Sequence, residues 1–212
     1  LVGFGNILEC CKNNNIDHLI YASSSSVYGG NKKIPFSEND GVNHPVSLYA
    51  ATKRANELMA HTYSHLYKLP TSGLRFFTVY GPWGRPDMSY FIFTSKIIKD
   101  QPIKIYNNGQ MMRDFTYIDD IVDAISRLLN KPPAINNPFD HKKSFASVSW
   151  APYQLFNIGN SSPTNLMTFI KIIEKHVGKK AKKDYLPMQL GDLEATFADI
   201  KLLGDWIDFK PK

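Results

Sequence analysis

The feature that most constrains the fold of this chain is a repeated alternation of helical patterns with short runs of strand character. Residues 1–14 carry an apolar stripe at helical spacing, and the short apolar run 18–22 follows them. A second helical pattern at 47–67, with Ser47 as its cap, ends before Pro70 and leads into a buried-strand pattern at 71–77. This rhythm predicts an α/β fold built on a doubly wound parallel sheet.

The pattern changes after residue 81, where the segments with regular spacing become shorter. Helical spacing is found at residues 89–99, 117–129 and 165–177, and strand character at 103–106 and 154–158. Residues 131–152 are rich in Pro, Asn and Ser and predict a mobile loop, and the residues after 177 predict irregular structure. We therefore expect the second half of the chain to divide between completing the sheet and forming a smaller lobe.

Charge and cysteine content narrow the class of protein. The net charge is +6, and the densest basic run, residues 178–183, has no aromatic residue and follows a helix, which favours a solvated helix end over a nucleic-acid site. The sequence shows no leader pattern and no apolar run near the roughly 20 residues that span a bilayer. The adjacent Cys10 and Cys11 are typical of reduced thiols. These features predict a cytoplasmic protein without nucleic-acid or membrane partners.

Tyr49 and Lys53 are the first candidates for chemistry. They lie four residues apart near the start of the predicted helix at 47–67, so that both side chains share one face. An ammonium beside a phenol lowers the pKa of the phenol, which makes the phenol a usable general base for a sugar hydroxyl. The same spacing occurs at Tyr28 and Lys32, but a Gly-Gly pair between these two predicts a loop that would not hold them together.

A run of four serines, residues 23–26, follows the first predicted strand directly. Such runs are commonly flexible linkers. This one lies between a buried strand and the segment Val27-Tyr28-Gly29, so we expect its backbone to be fixed. Hydroxyls at the carboxyl end of a strand, about 25 residues before Tyr49, could hydrogen-bond the same substrate oxygen as the phenol.

His61 and His65 have the spacing of two metal ligands on one face of a helix. They lie roughly 120° around that helix from Tyr49 and Lys53, and no acidic third ligand accompanies them. We therefore expect no metal site.

The serine run and the Tyr49–Lys53 pair together resemble the active site of extended short-chain dehydrogenases/reductases that act on nucleotide sugars. The resemblance rests first on a strand followed by Ser-Ser-Ser-Ser-Val-Tyr-Gly at 23–29, with Tyr-x-x-x-Lys about 20 residues later. Residues 74–88 (Leu-Arg-Phe-Phe-Thr-Val-Tyr-Gly-Pro-Trp-Gly-Arg-Pro-Asp-Met) resemble the signature of the UDP-glucuronate 4-epimerase branch. Further matches, at 113–120, 157–160 and 187–192, extend the resemblance over essentially the whole chain.

The resemblance implies roles for residues around the first strand. Tyr49 would be the catalytic base, Lys53 its partner and a ligand of the nicotinamide ribose, and Ser24 the counterpart of the family's catalytic Ser/Thr. The implied cofactor is NAD, bound by Ala22, Ser23, Tyr49, Lys53 and Phe76.

The resemblance also implies a set of substrate contacts. The residues that would face the sugar carboxylate are Ser25, Ser26, Thr78 and Arg85. The planar fork of Arg85 suits this task, although a surface Arg in a Gly/Pro loop is the alternative. Arg113 matches a position that binds the UDP diphosphate, with an ion pair to Asp114 or Asp119 as the alternative. Asp192 would assist in the same region.

The activity implied is NAD-dependent C4 epimerisation of UDP-glucuronate to UDP-galacturonate through a 4-keto intermediate. Relatives that dehydrate dTDP-glucose carry Asp-Glu where this chain has Ser25-Ser26, and UDP-glucuronate decarboxylases carry Glu at Ser26, so both activities are disfavoured. A UDP-glucose/galactose 4-epimerase stays open, since only Thr78, in place of the usual Asn, and Arg85 argue against it.

The Gly-rich turn that cradles a dinucleotide pyrophosphate is missing, because Gly3 and Gly5 lie in a helical pattern that follows no strand. We expect residues 1–81 to be the C-terminal part of a Rossmann-like NAD-binding domain, rejoined by segments around 110–130 and 154–160. Residues 82–212 would mainly form a smaller C-terminal substrate-binding lobe. The chain alone is then expected to be inactive, and the alternative from another class is a domain that only binds nucleotide sugars. The resemblance also implies a homodimer.

Overall fold

The computed structural model describes residues 1–140, 142, 145–189 and 192–212. Helices and strands alternate along the chain, as predicted. The helices are α1 (Val2–Asn13), α2 (Leu48–Tyr67), α3 (Ser89–Ile98), α4 (Ile118–Leu129), α5 (Leu166–Val177) and α6 (Lys201–Ile207). The strands are β1 (Leu19–Ser24), β2 (Thr71–Phe76), β3 (Thr78–Tyr80), β4 (Ile103–Ile105), β5 (Met112–Tyr117), β6 (Tyr153–Ile158), β7 (Pro163–Asn165), β8 (Lys183–Tyr185) and β9 (Ala195–Thr196).

Strands β1, β2 and β6 form a parallel sheet in that order, which confirms the predicted fold class. Their register places Ser24 beside Phe76 and Phe76 beside Ile158. The carboxyl ends of the strands therefore coincide at one edge of the sheet, which is where ligands collect in this type of fold.

Helices cover both faces of this sheet, so the sheet is doubly wound. On one face Tyr21 and Leu155 pack with Ala60 of α2 and Phe4 of α1. On the other face the strands contribute Leu74, Phe156 and Ile158, which pack against α4 and α6. The apolar stripes of four helices are buried in this way, and burial of this kind is the main force holding the layers together.

Gly73 lets the central strand fit under its neighbours. A Cβ at this position would stand 2.4 Å from a Leu155 methyl group and 2.5 Å from the Tyr21 hydroxyl, closer than any side-chain carbon tolerates. The glycine in β2 therefore makes room for two large side chains on the face that carries α2.

The ends of α2 are where the sequence predicts them. The Ser47 hydroxyl accepts a hydrogen bond from the Ala50 N–H at 3.1 Å and caps the first turn. At the other end Lys68 takes a left-handed conformation (φ 58°), and Pro70 follows. Because the cap fixes where the helix begins, Tyr49 lies in its first turn and Lys53 one turn further on.

A second core lies away from the β1–β2–β6 sheet. It is formed by α3, β4 and α5 through Phe93, Ile97, Ile103, Ile105, Ile170 and Ile173, and β4 pairs with β8. A further sheet joins β3, β5 and β7, with β9 pairing to β5. This second core is where we expect the smaller lobe, although its boundaries remain a prediction.

Several elements differ from the sequence-based expectation. Strands β3, β5 and β7 were not predicted, and β8, β9 and α6 lie in the region expected to be irregular. Helix α6 has no side-chain cap but buries Leu203 and Ile207 against the sheet, so tertiary packing stabilises it rather than local sequence.

The described residues between 131 and 152 contain no helix or strand, in line with the predicted loop, and the last of them pack closely. The Ser147 hydroxyl donates to Asn39 at 2.8 Å, and its carbonyl accepts the Leu155 N–H. Residues 141, 143 and 144 of this loop lie outside the described residues. Within the described parts of the chain, every helix is too short or too polar to cross a bilayer.

Candidate active site

Tyr49 and Lys53 lie together over the carboxyl half of β1. The Lys53 ammonium is 5.8 Å from the centre of the Tyr49 ring and donates a hydrogen bond to the Ala22 carbonyl at 3.0 Å. Tyr49 and Ala22 are exposed, whereas the neighbours of Ala22 in β1 are buried. The pair predicted from spacing is therefore assembled on one open surface, with Lys53 tying α2 to the strand.

The serine run is fixed by its own hydrogen bonds. Ser24 ends β1, and its hydroxyl accepts the Ser26 N–H at 3.2 Å and donates to the Ser26 hydroxyl at 3.1 Å. Residues Ser25–Tyr28 then form one turn of 3-10 helix. This confirms that the run is pinned and rules out the flexible-linker alternative. Ser26 is exposed, so its hydroxyl is available to a ligand.

Ser23 and Phe76 are engaged on opposite faces of the sheet. The Ser23 hydroxyl is buried on the α2 side and donates to Glu57 at 2.6 Å, so the backbone of Ser23 is what is left for the predicted cofactor role. Phe76 is half-buried and packs against the core under α4 and α6. Cofactor binding by these two residues stays a prediction.

A buried ion pair that sequence reasoning missed connects α2 to the sheet. Arg75, in β2, donates from Nε and Nη2 to the two Glu57 carboxylate oxygens at 2.9 and 3.0 Å, and both side chains are fully buried. Burial opposes ionisation of Glu57, but hydrogen bonds from Arg75 and Ser23 outweigh it and hold the pKa of Glu57 below its usual value. The available signal was the lone Arg75 within the apolar run 71–77, since a buried cation requires a partner.

Tyr28 completes this network at the end of the serine turn. Its hydroxyl accepts from Arg75 Nη1 at 3.1 Å and donates to Asn157 Oδ1 at 2.6 Å, and burial raises the pKa of Tyr28 to about 12. Tyr28 is thus a core residue. The alternative Tyr28–Lys32 pair is therefore not a catalytic pair, as its loop sequence indicated.

Arg85 is exposed and bound to Asp87. Its Nε and Nη2 donate to the two Asp87 carboxylate oxygens at 3.0 and 2.5 Å. The hydrogen bond to Asp87 raises the pKa of Arg85, and a smaller electrostatic contribution comes from the Tyr49 phenol. The Arg85 guanidinium is therefore held by Asp87 and stands at the surface of the loop that precedes α3.

Arg113 pairs with Asp192, not with Asp114 or Asp119. Arg113 Nη2 donates to Asp192 Oδ1 at 2.7 Å, and both side chains are partly buried. Asp114 is instead fully buried and accepts the N–H groups of Asn160 and Ser161. The two residues predicted near the diphosphate therefore meet, and the alternative, an ion pair of Arg113 with Asp114 or Asp119, is not what the structure shows. In the matched motif at 187–192, Leu190 and Gly191 lie outside the described residues.

Thr78 lies on the strand next to that of Arg113. It is half-buried in β3, opposite Phe115 of β5. Arg113 is two residues before Phe115, which corresponds to about 7 Å along the strand. The predicted carboxylate and diphosphate positions thus occupy neighbouring strands.

The two helical histidines are engaged with aromatic rings. Trp150 Nε1 donates to His65 Nδ1 at 2.8 Å, and His61 lies edge-on to Trp150 and Tyr153. Across the described residues, no group of three or more His, Cys, Asp or Glu side chains is placed to hold a metal ion. The pair attaches the 131–152 loop to α2.

Comparison with known proteins gives relatives that match over the whole chain. Protein CapI of Staphylococcus aureus is 59% identical over 212 residues, which cover 100% of this chain and 64% of that protein. A probable UDP-glucuronate 4-epimerase of Rhizobium meliloti is 51% identical and is covered to 62% of its length. The solved UDP-glucuronic acid 4-epimerase from Bacillus cereus, in complex with UDP-glucuronic acid and NAD, superposes with a TM-score of 0.83 at 32% identity, over 99% of this chain and 61% of that one.

The chain thus spans less than two-thirds of the length of these relatives. Residues 1–141, more than half of the chain, match the NAD dependent epimerase/dehydratase family. Gly3 and Gly5 lie inside α1, as predicted, so they do not form a phosphate-binding turn. On the family match and the whole-chain identities, this chain belongs to the NAD dependent epimerase/dehydratase family.

Proposed function

We propose that the protein carrying this chain is an NAD-dependent UDP-sugar 4-epimerase that converts UDP-glucuronate to UDP-galacturonate. The observation that carries the proposal is the position of Tyr49 and Lys53 over the carboxyl end of β1, where Ser24 ends the strand. Inversion at C4 needs a group that takes and returns the proton of the 4-hydroxyl, and this pair offers one.

Tyr49 is proposed to move the proton of the sugar 4-hydroxyl. As the phenolate, the exposed Tyr49 side chain accepts that proton and becomes the phenol when the hydroxyl turns into a carbonyl, and the phenol returns the proton when the hydroxyl re-forms. The Lys53 ammonium, held by the Ala22 carbonyl, stabilises the phenolate by its charge. Ser24 and Ser26, already linked to each other, offer hydroxyl groups to the same substrate oxygen.

The residues on this surface fit the nicotinamide end of NAD. An ammonium and a phenol side by side match the hydroxyl groups of a ribose, and the Ala22 carbonyl holds the ammonium in place. When bound, NAD supplies the hydride acceptor and donor for C4 of the sugar. We propose that Lys53, Tyr49 and the backbone of Ala22 and Ser23 hold this end of the cofactor.

Arg85 and the serines favour an acidic sugar over a neutral one. A guanidinium fork binds a carboxylate through two charge-assisted hydrogen bonds, and a neutral sugar offers no such partner. We propose that Ser25, Ser26 and Thr78 bind the same carboxylate and hold it out of the geometry in which a β-keto acid loses CO₂. No acidic side chain occupies positions 25 and 26, which disfavours dehydration and decarboxylation.

Arg113 is proposed to bind the UDP diphosphate. It is a partly buried cation, and burial lowers its pKa in spite of the nearby Asp192 carboxylate. Asp192 orients Arg113 through their 2.7 Å contact. This arrangement offers a held guanidinium to a phosphate oxygen.

The exposed apolar residues of α1 and α2 support the proposal of a homodimer. Val2 and Ile7 of α1, and Leu58 and Leu66 of α2, are exposed, and α1 packs beside α2. A surface of this kind on two adjacent helices is suited to pairing with a second copy.

Substrate preference tests the proposed function. The protein, expressed at the full length that its gene encodes and supplied with NAD, is incubated separately with UDP-glucuronate and with UDP-glucose, and the products are separated by chromatography. We expect UDP-galacturonate from the first and little UDP-galactose from the second. Preference for the neutral sugar would select the UDP-glucose/galactose alternative.

The second arm of this activity test uses the 212-residue chain by itself. We expect it to show negligible turnover, since the pyrophosphate-binding turn is not within its sequence. If the full-length protein binds UDP-sugars but neither binds NAD nor turns over either sugar, the reading as a non-catalytic nucleotide-sugar-binding protein replaces the enzyme proposal.

A further inference from the structure

The loop that carries Arg85 surrounds a surface cavity between β3 and α3. The cavity has a volume of about 290 Å³ and is lined by, among others, Tyr80, Trp83, Arg85 and Tyr90. The side chains of Arg85 and Asp87 are 74% and 61% exposed, so water reaches both partners of their ion pair. A ligand that approaches Arg85 therefore meets a guanidinium that already has a carboxylate bound to it.

The contact between the two residues has the geometry of a bound carboxylate. Two nitrogens of the guanidinium, Nε and Nη2, each donate to a different oxygen of Asp87. A sugar carboxylate bound bidentately to Arg85 would use the same kind of fork. Asp87 therefore occupies one of the two edges through which Arg85 can bind a carboxylate bidentately, and its negative charge lies beside the other.

Backbone hydrogen bonds hold Asp87 close to Arg85. The Gly84 N–H bonds the Gly81 carbonyl, and the Met88 N–H bonds the Arg85 carbonyl, each at 3.2 Å. Because the turn keeps Asp87 beside the guanidinium, the effective concentration of the Asp87 carboxylate at Arg85 is high. An incoming carboxylate must therefore displace Asp87 or bind next to it.

The pair is nevertheless weak enough to be displaced. Ion pairs between exposed side chains contribute only about 0.2–1 kcal/mol, because water and salt screen them. The free-energy cost of exchanging the Asp87 carboxylate for a substrate carboxylate is therefore small. The preference for an acidic sugar that remains is smaller than the preference that Arg85 would give without Asp87.

We propose that Asp87 is a specificity-determining residue that competes internally with the sugar carboxylate for Arg85. This inference rests on the proposed function, since it needs an acidic UDP-sugar as the ligand. Asp87 lowers the affinity for UDP-glucuronate and leaves the affinity for UDP-glucose unchanged, so it moderates the selectivity that Arg85 creates.

Binding measurements on Asp87→Asn test this proposal. Calorimetry on the full-length, NAD-loaded protein gives the Kd for UDP-glucuronate and for UDP-glucose in low salt. We expect Asp87→Asn to tighten UDP-glucuronate binding by roughly two- to five-fold, the range that an exposed ion pair corresponds to, and to change the Kd for UDP-glucose by less than about 1.5-fold.

Asp100→Asn is the matched control. Asp100 is 63% exposed and pairs with Lys179, so its replacement removes the same charge from a similar ion pair outside this loop. It should leave both Kd values unchanged. In an Arg85→Met background the effect of Asp87→Asn should disappear, because the competition requires the guanidinium.

Unchanged or weaker binding of UDP-glucuronate by Asp87→Asn would overturn the proposal, and so would tighter binding that persists without Arg85. The proposed function is judged separately, on the unmodified protein. If that protein converts UDP-glucuronate and Asp87→Asn still gives either contrary result, only the role of Asp87 fails.

Discussion

At the scale of single residues, Glu38 is a buried carboxyl group that the proposed chemistry does not use. Burial raises the pKa of Glu38 to about 7, although the Asn157 N–H, which donates to it at 2.8 Å, opposes the shift. The usual value for such a group is 4.5. The native protein therefore holds this proton more tightly than the unfolded chain does.

A pH dependence of stability follows from this shift. The protonated Glu38 contributes stability that is fully present below about pH 4.5 and is lost as the pH rises towards 7 and the carboxyl must ionise inside the protein. Glu38→Gln keeps an acceptor for Asn157 without the charge. We expect it to raise the free energy of unfolding by up to about 3 kcal/mol at pH 8 and by less than about 1 kcal/mol at pH 5.

Chemical unfolding of both proteins at the two pH values provides the measurement. An equal effect of the substitution at pH 5 and pH 8 would show that Glu38 does not titrate in this range, and the predicted linkage would be wrong.

The site residues were predictable where local spacing defines them. Tyr49 and Lys53 share a helix face, so sequence alone places them together. The partner of Arg113 could not be predicted in the same way, because Asp192 is brought to it by a long return of the chain. The burial of the Ser23 hydroxyl could not be predicted either, since its partner Glu57 lies 34 residues away.

At the scale of elements, the buried Glu57–Arg75 pair locks α2 onto β2. Removing Arg75 takes away two of the three hydrogen bonds that the buried Glu57 carboxylate receives from arginines and leaves Arg54, at 2.9 Å, as its remaining cation. We expect Arg75→Met to lower the free energy of unfolding by about 3–5 kcal/mol in chemical denaturation, and Glu57→Gln in the same chain to restore part of the loss.

Lys33→Met is the control for this prediction. Lys33 pairs with Asp40 at the surface, and losing that pair should cost less than about 1 kcal/mol. If Arg75→Met is no more harmful than Lys33→Met, the buried pair does not hold the helix in place.

Elements with strong periodicity or clear caps were predicted close to their observed bounds, as α2 shows. The short strands β8 and β9 and the helix α6 were not, because their stability comes from pairing with β4 and β5 and from packing on the sheet. A lone Arg within the apolar strand β2 did carry a signal, since a buried cation requires a partner.

At the scale of the whole molecule, the exposed leucines of α2 are expected to mediate the proposed homodimer. Leu58 and Leu66, eight residues apart, lie on the same side of the helix. Charged groups at these positions would be desolvated without a partner at an interface. We expect Leu58→Glu combined with Leu66→Glu to shift the mass measured by light scattering from dimer to monomer.

Leu129→Glu should leave that mass unchanged, because Leu129 of α4 has a similar exposure, 57% against 54% for Leu58, but lies on another helix. A monomeric unmodified protein, or a double variant that remains dimeric, would show that these helices are not the interface.

The most direct test of the central claim is the rate of epimerisation by Tyr49→Phe, which removes one hydroxyl from the exposed ring on α2. With the full-length protein, NAD and UDP-glucuronate, we predict that turnover to UDP-galacturonate falls by about 10²–10⁴-fold, the usual contribution of a positioned acid or base, while the Kd for UDP-glucuronate changes little. Turnover that stays within a few-fold of the unmodified rate would mean that Tyr49 does not move the proton.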